Sequence, residues 1–261
     1  MVSKVVVCYG KNTRERTFEC LKKLNPEITK SKVLIKPNLV EVMPNESGAI
    51  TRKEFVEGII EFLHSREIEE IFVGEGAGGT FNTFECFEEA GYLELEEKYG
   101  IKLVDLNKGS FKKIKGDFWE FKVNKICLDC YLISAAVLKE HAYEVTLSMK
   151  NMMGILKPWN KLPTKGYMHK EEDYKIWSLR LIDLIKHVKP NLALIDATTG
   201  MLGSHLTGRL KRFDCTIASE DCVACDIVGA RLLGYKKVYY IDLALKHKLG
   251  SLPKIVEFKV G

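Results

Sequence analysis

Short runs of β-branched and aliphatic residues, "KVVVCYG" at 4–10, "KVLIKPNLV" at 32–40, "EIFVGEG" at 70–76 and "NLALIDATTGM" at 191–201, are separated by longer stretches with helical periodicity. One segment cannot serve both a strand period of two and a helix period near 3.6, so the alternation dictates β-α units. Such units stack their strands into a largely parallel sheet with helices on its faces. The expected fold class is α/β, a mostly parallel sheet flanked by helices. It forms one domain over 1–261, or two lobes, 1–110 and 111–261, with a ligand cleft between them.

Helices are expected at 13–24, at 51–65 with Thr51 as N-cap and Glu54 three residues on, at 82–98, at 173–188, at 220–233 and near 240–248. Between 110 and 139 "GDFWEFKV" and "DCYLISAAVLK" read as two strands, and 145–156 reads as a helix that turns Met149, Met152 and Met153 to the core. The stretch 157–171 carries no regular signal, which suits a binding loop or lid.

With 46% hydrophobic and 29% charged residues in 261, a sizeable core is available. No apolar run approaches the roughly 20 residues of a membrane-spanning helix, and the first residues lack a signal-peptide pattern, so a cytoplasmic protein is expected. The 40 basic and 35 acidic residues interleave to a net charge of +5, too mild a surplus to imply nucleic acid as a partner. Gln is absent while Lys and Glu abound, a bias of proteins from hot environments. The eight Cys are then either reduced thiols or the intracellular disulfides of a hyperthermophile.

Chemistry collects where strands end. In open α/β sheets ligands sit beyond the carboxyl ends, where "LIKPN" delivers Lys36 and Asn38. The loop "VGEGAGG" has the G-x-G-x-x-G spacing of a phosphate cradle, and Asp105 on the next strand could take a ribose hydroxyl. Glu75, however, would repel a pyrophosphate and reads better as an acid at the sheet edge. In "LKEHAYEVTLSMKNMMG" a charged and amide set, Lys139, His141, Lys150 and Asn151, is embedded among apolar residues. A buried Lys or Asn costs several kcal/mol without a partner, and that partner could be a ligand. Asp196 in "LIDATTG" could hold a metal, a hydroxyl or a histidine, and His205 follows in a glycine-rich loop. Asp221 and Asp226 open the helix that also carries Cys222 and Cys225 at i and i+3, a spacing of redox pairs and metal clips. Cys127 and Cys130 form a second such pair but, if extended, point to opposite faces.

The ordered set "KPNLV", "VGEGAGG", "KEH" with "SMKNMMG", "LIDATTGM" and "IASEDCVACDIVGARLLG" resembles the domain of unknown function 362 over about 30–240. The resemblance implies that Lys36, Asn38, Glu75, Lys139, His141, Lys150, Asn151, Asp196, Asp221 and Asp226 line a common site. Relatives often carry an appended ferredoxin-like segment. This chain has no such cysteine run, and Cys222 stands where relatives usually have Pro.

The function expected is an α/β enzyme acting on a small anionic metabolite, with oxidoreductase chemistry favoured by the redox-fused relatives and a separate electron-transfer protein as partner. In that reading His141, Glu75 and Lys150 are catalytic, and Lys36, Asn38, Lys139, Asn151, Asp196, Asp221 and Asp226 bind substrate. Two alternatives use other features: a metal or iron-sulfur maturation protein with Cys222 and Cys225 as ligands, and a nucleotide-binding module on the 74–79 glycine loop. The cofactor is left open between none and a metal ion, since no ferredoxin-type cluster motif is present.

Overall fold

The computed structural model describes residues 2–78, 80–142, 144–158 and 173–261. In chain order the strands are β1 (Val2–Tyr9), β2 (Lys32–Pro37), β3 (Glu70–Glu75), β4 (Lys102–Asp105), β5 (Phe111–Lys115), β6 (Glu120–Asn124), β7 (Tyr131–His141), β8 (Glu144–Thr146), β9 (Leu192–Leu202), β10 (Arg209–Ser219) and β11 (Leu252–Lys259). The helices are α1 (Thr13–Leu24), α2 (Lys53–His64), α3 (Thr83–Glu89), α4 (Leu93–Tyr99), α5 (Ile126–Asp129), α6 (Ser148–Asn151), α7 (Tyr174–His187), α8 (Cys222–Leu232) and α9 (Tyr239–Lys246). Among the described residues no helix is long and apolar enough to cross a membrane.

One sheet runs in the order β11-β1-β10-β9-β7-β2-β3-β4, with β8 attached to β7; β5 and β6 form a separate hairpin. Strands from 1–110 and from 111–261 interleave within the large sheet. It is parallel from β9 through β7, β2 and β3 to β4, and again between β1 and β11. β10 runs antiparallel between β9 and β1. The α/β fold with a mostly parallel sheet is as the periodicity requires, and β10 makes the sheet mixed.

Each face of the sheet has its own core. Val33, Ile35, Ile71, Val73 and Ile133 point to one side against α1, α2, α3 and α4, while Leu34, Leu132, Ala136, Leu138 and Ile195 meet α6, α7, α8 and α9 on the other. Helix α1 shows how local sequence decides a surface: Asn12 caps it by accepting from the Glu15 N–H. Its buried stripe is Thr13, Arg16, Thr17, Cys20, Leu21 and Leu24, the i, i+3, i+4 spacing of one face.

Several local expectations change. The helix expected at 82–98 is two, α3 and α4, because Gly91 takes φ +73° and turns the chain between them. Thr51 is not an N-cap; Arg52 occupies that position, and the Thr51 hydroxyl instead accepts from Asn38 N–H and donates to Ala135 O, joining the end of β2 to the middle of β7. The strand expected at 116–123 forms over its second half as β6, after a bend at 116–119. Cys127 lies in one turn of helix, not in an extended segment. The expected helix at 145–156 holds for 148–155 as α6 continued by a 3-10 turn, with Met149, Met152 and Met153 buried as the pattern requires. Of the 157–171 stretch expected as a lid, 159–171 lie outside the described residues.

Candidate functional site

Strands β2 and β7 are neighbours, but the chain leaves them in opposite directions. From β2 it passes through α2 to β3, and from β7 through α6 and α7 to β9 on the other face. Where connections diverge in this way, the helices part and leave a crevice beyond the carboxyl ends of the strands. Lys36 and Asn38 at the end of β2, Glu75 at the end of β3, and Lys139 and His141 at the end of β7 all arrive there.

Part of this set is satisfied internally. Lys36 Nζ lies 2.7 Å from Glu75 Oε1, with side chains 1% and 2% exposed, and donates to Asn151 Oδ1 at 2.9 Å. Burial pulls the Lys36 ammonium down from its ordinary value, and Glu75 works against that fall. Glu75 also accepts from Leu39 N–H at 2.7 Å and Gly76 N–H at 2.8 Å. Asn151 Nδ2 donates back to Lys36 O and to Ser134 Oγ, and Asn38 Nδ2 donates to Asn151 Oδ1. The partners of Asn151 are thus protein groups. Asn38 Oδ1, however, is buried with no partner among the described residues, a rare state for a native acceptor.

Asp196 belongs to a second network. β9 carries extra residues against β7, and β10 carries one against β9. Val137 pairs with Asp196 but Lys139 already pairs with Met201, and the β10 register also shifts between Arg212 and Cys215. Such bulges re-aim side chains, and here Asp196, Thr198 and Thr199 meet two arginines. Asp196 Oδ1 accepts from Thr198 N–H and hydroxyl at 3.0 and 2.6 Å. The fully buried Arg16 stands 3.9 Å from Oδ1, and Arg52 Nη1 stands 3.7 Å from Oδ2. Arg16 further donates to Thr198 Oγ1 and Gly10 O, and Arg52 to Thr199 Oγ1. Neither arginine stood out in the sequence. The available signal for Arg16 was its place within the buried stripe of α1.

The third group is not neutralised. Lys139 is 1% exposed, and its ammonium makes one hydrogen bond, 2.6 Å to Ala49 O. Lys150, half-buried, stands 6.0 Å from the Trp177 ring centroid. Among the described residues neither has a carboxylate within ion-pair distance. Burial, then the charge of Lys150, lowers Lys139 to about 7, and burial lowers Lys150 to about 8. The His141 and His205 rings lie 4.4 Å apart, at the end of β7 and in the β9–β10 loop. His205 is pulled below its ordinary value by burial and then by the charges of Lys139 and Lys150. Thr146, directly opposite Lys139 in the β7–β8 ladder, is buried with no partner for its hydroxyl among the described residues.

The remaining candidates have other places. Asp226 accepts from the N–H groups of Ser148 and Met149 and so fixes the start of α6, the turn that presents Lys150 and Asn151. Asp221 stands at the other end of the sheet. It caps α8 through Val223 and Ala224 and accepts from Ser3 Oγ and Ser251 N–H, away from the other site residues. Cys222 and Cys225 are fully buried free thiols among Val223, Ala224 and Ile227, and burial raises both above the ordinary thiol range. A metal would need the thiolates that this setting disfavours. Among the described residues no group of three or more His, Cys, Asp or Glu is arranged to hold one. In the glycine loop the N–H groups of Gly76, Ala77 and Gly78 are already bonded to Glu75, Thr83 and Val40. Asp105 is held by Thr83, Asn107 and Lys108. A phosphate would find few free donors there.

No curated protein and no solved structure matches the chain. The family model described as domain of unknown function (DUF362) matches residues 33–231, which spans β2 through α8 and so contains Lys36, Glu75, Lys139, Lys150, Asn151 and Asp196. The chain belongs to the DUF362 family.

Proposed function

We propose that the chain is an enzyme that binds a small anionic metabolite beyond the carboxyl ends of β2 and β7. Lys139 and Lys150 hold the negative charge, and the pair His141 and His205 moves a proton. The observation that carries this reading is the buried Lys139 ammonium, which among the described residues has one hydrogen bond and no carboxylate within ion-pair distance. Taking an ammonium out of water costs several kcal/mol that one carbonyl does not return, and an arriving anion would supply the balance. The orphaned Asn38 Oδ1 and Thr146 hydroxyl add polar groups that a ligand can satisfy. In such a water-poor setting a well-placed donor on developing negative charge contributes about 3 to 4 kcal/mol.

Lys36, Glu75, Asn151, Asp196, Arg16 and Arg52 act in this reading as the frame. The charged members pair with one another, Asn151 bridges to Lys36, and the set holds β2, β3, α2 and α6 in register around Lys139 and Lys150. Mass spectrometry of small molecules released from freshly purified protein, followed by thermal-shift titration of the same compounds, tests the proposal. A carboxylate or phosphate that copurifies and raises the melting temperature is expected. Stabilisation by neutral compounds alone contradicts it.

A further inference from the structure

Lys139 differs from the other buried lysine at the strand ends in a way that matters for chemistry. Lys36 is held as a cation by Glu75 and Asn151. Lys139 has no such partner, and its one hydrogen bond, donated to Ala49 O, uses an N–H and leaves the lone pair of the neutral amine uncommitted. The charge of a second cation, Lys150 on α6, also disfavours a positive Lys139. A desolvated lysine next to another cation is the setting in which an amine becomes a nucleophile towards carbonyl carbon.

Building on the anion-site reading, we infer that Lys139 forms an imine with a 2-oxo acid whose carboxylate lies against the Lys150 ammonium. The Lys139 lone pair attacks the carbonyl carbon, and the C=O π electrons pass to oxygen. The oxygen takes a proton, giving a carbinolamine, for which the Thr146 hydroxyl across the ladder is an available hydrogen-bond partner. That proton comes from the nitrogen, and the hydroxyl departs as water with a proton that the His141 and His205 pair lends and then takes back from the imine nitrogen. The net change is amine plus carbonyl to imine plus water, with no oxidant or reductant consumed. Protonated, the imine draws electrons from the neighbouring carbon and supports proton removal or carbon-carbon cleavage there.

The charged groups around the amine agree with this division of labour. Besides burial and Lys150, Glu75 and Glu41 raise the Lys139 value and Lys36 lowers it, with the outcome at about 7. Lys150 stays protonated to about 8. Between these values one lysine is a free amine while the other still holds a carboxylate.

The test uses pyruvate as the probe and sodium cyanoborohydride to reduce any imine to a stable amine. Intact-mass and peptide mapping of the full chain should show one adduct, on the peptide carrying Lys139, with labelling that grows as pH rises through about 7. Lys139→Met should lose it. Lys150→Met should keep it but need more pyruvate, with the pH midpoint moved up. Pyruvate that raises the melting temperature without leaving a reducible adduct on Lys139 overturns the imine and leaves the anion site standing; no stabilisation and no adduct overturns both. Adducts scattered over surface lysines, equal in Lys139→Met, also overturn it. Should Lys139→Met fail to fold, the mapped position of the adduct in the unaltered chain decides.

Discussion

Lys36 Nζ and Glu75 Oε1 stand 2.7 Å apart in a place water does not reach. Removing one partner leaves a buried charge without compensation, which costs about 3 to 5 kcal/mol. Lys36→Met should therefore lower the denaturant midpoint strongly, and Lys36→Met with Glu75→Gln should recover much of the loss. A single variant as stable as the unaltered chain would show that the pair is not held as ions.

Gly154 covers the same pair. A Cβ there would sit 2.3 Å from Glu75 Oε1 and 2.4 Å from Lys36 Cε, closer than real side-chain contacts allow. Gly154→Ala should cost about 1 to 3 kcal/mol by overpacking, seen as an early chemical unfolding transition. An unchanged midpoint would mean that the turn after α6 moves freely.

Lys139 gives the apo protein a distinct pH dependence. Its folded value, about 7, lies below the ordinary 10.5 of the unfolded chain, so between the two the unfolded state binds the extra proton. Stability should rise with pH across that window, by about 1.4 kcal/mol per unit where one group dominates. Lys139→Met should flatten this part of the melting-temperature profile. A profile falling over the same range, or equal in the variant, would contradict the assignment.

Asp226 and Asp221 separate the site from its frame. Asp226→Ala leaves the Ser148 and Met149 N–H groups buried without an acceptor, at about 1 to 3 kcal/mol for each. It should weaken ligand binding as well, because α6 carries Lys150. Asp221→Ala should cost about 0.5 to 2 kcal/mol as a lost N-cap and leave ligand affinity unchanged. Calorimetric titration beside chemical unfolding distinguishes the two; equal effects on binding would remove the distinction.

The repeating strand and helix pattern was legible because period two and period 3.6 leave different marks, and α1 falls at 13–24 as the pattern requires. The meeting of Lys36, Asn38 and Glu75 followed from their positions at strand ends. What failed to show was pairing and direction. The first half of β10, Arg209–Asp214, is exposed and charged, so it reads as loop, and the strand runs antiparallel to β9. That reversal leaves Asp221 at the opposite end of the strands from Lys36 and Glu75, within the sheet and not at its edge, and no local pattern records it. Nor does residue type reveal which charges cancel: Glu75 and Asp196 looked like free acids until Lys36, Arg16 and Arg52 stood beside them.

The central claim is that Lys139 and Lys150 together bind an anion, and calorimetric titration of the copurified ligand, or of pyruvate in its absence, tests it most directly. Affinity in the unaltered chain should weaken as pH rises through about 7 to about 8 and the two ammonium charges are lost. Lys139→Met and Lys150→Met, still folded, should each bind at least tenfold more weakly, about 1.4 kcal/mol. Equal affinity in both folded variants, with no dependence on pH, would contradict the account.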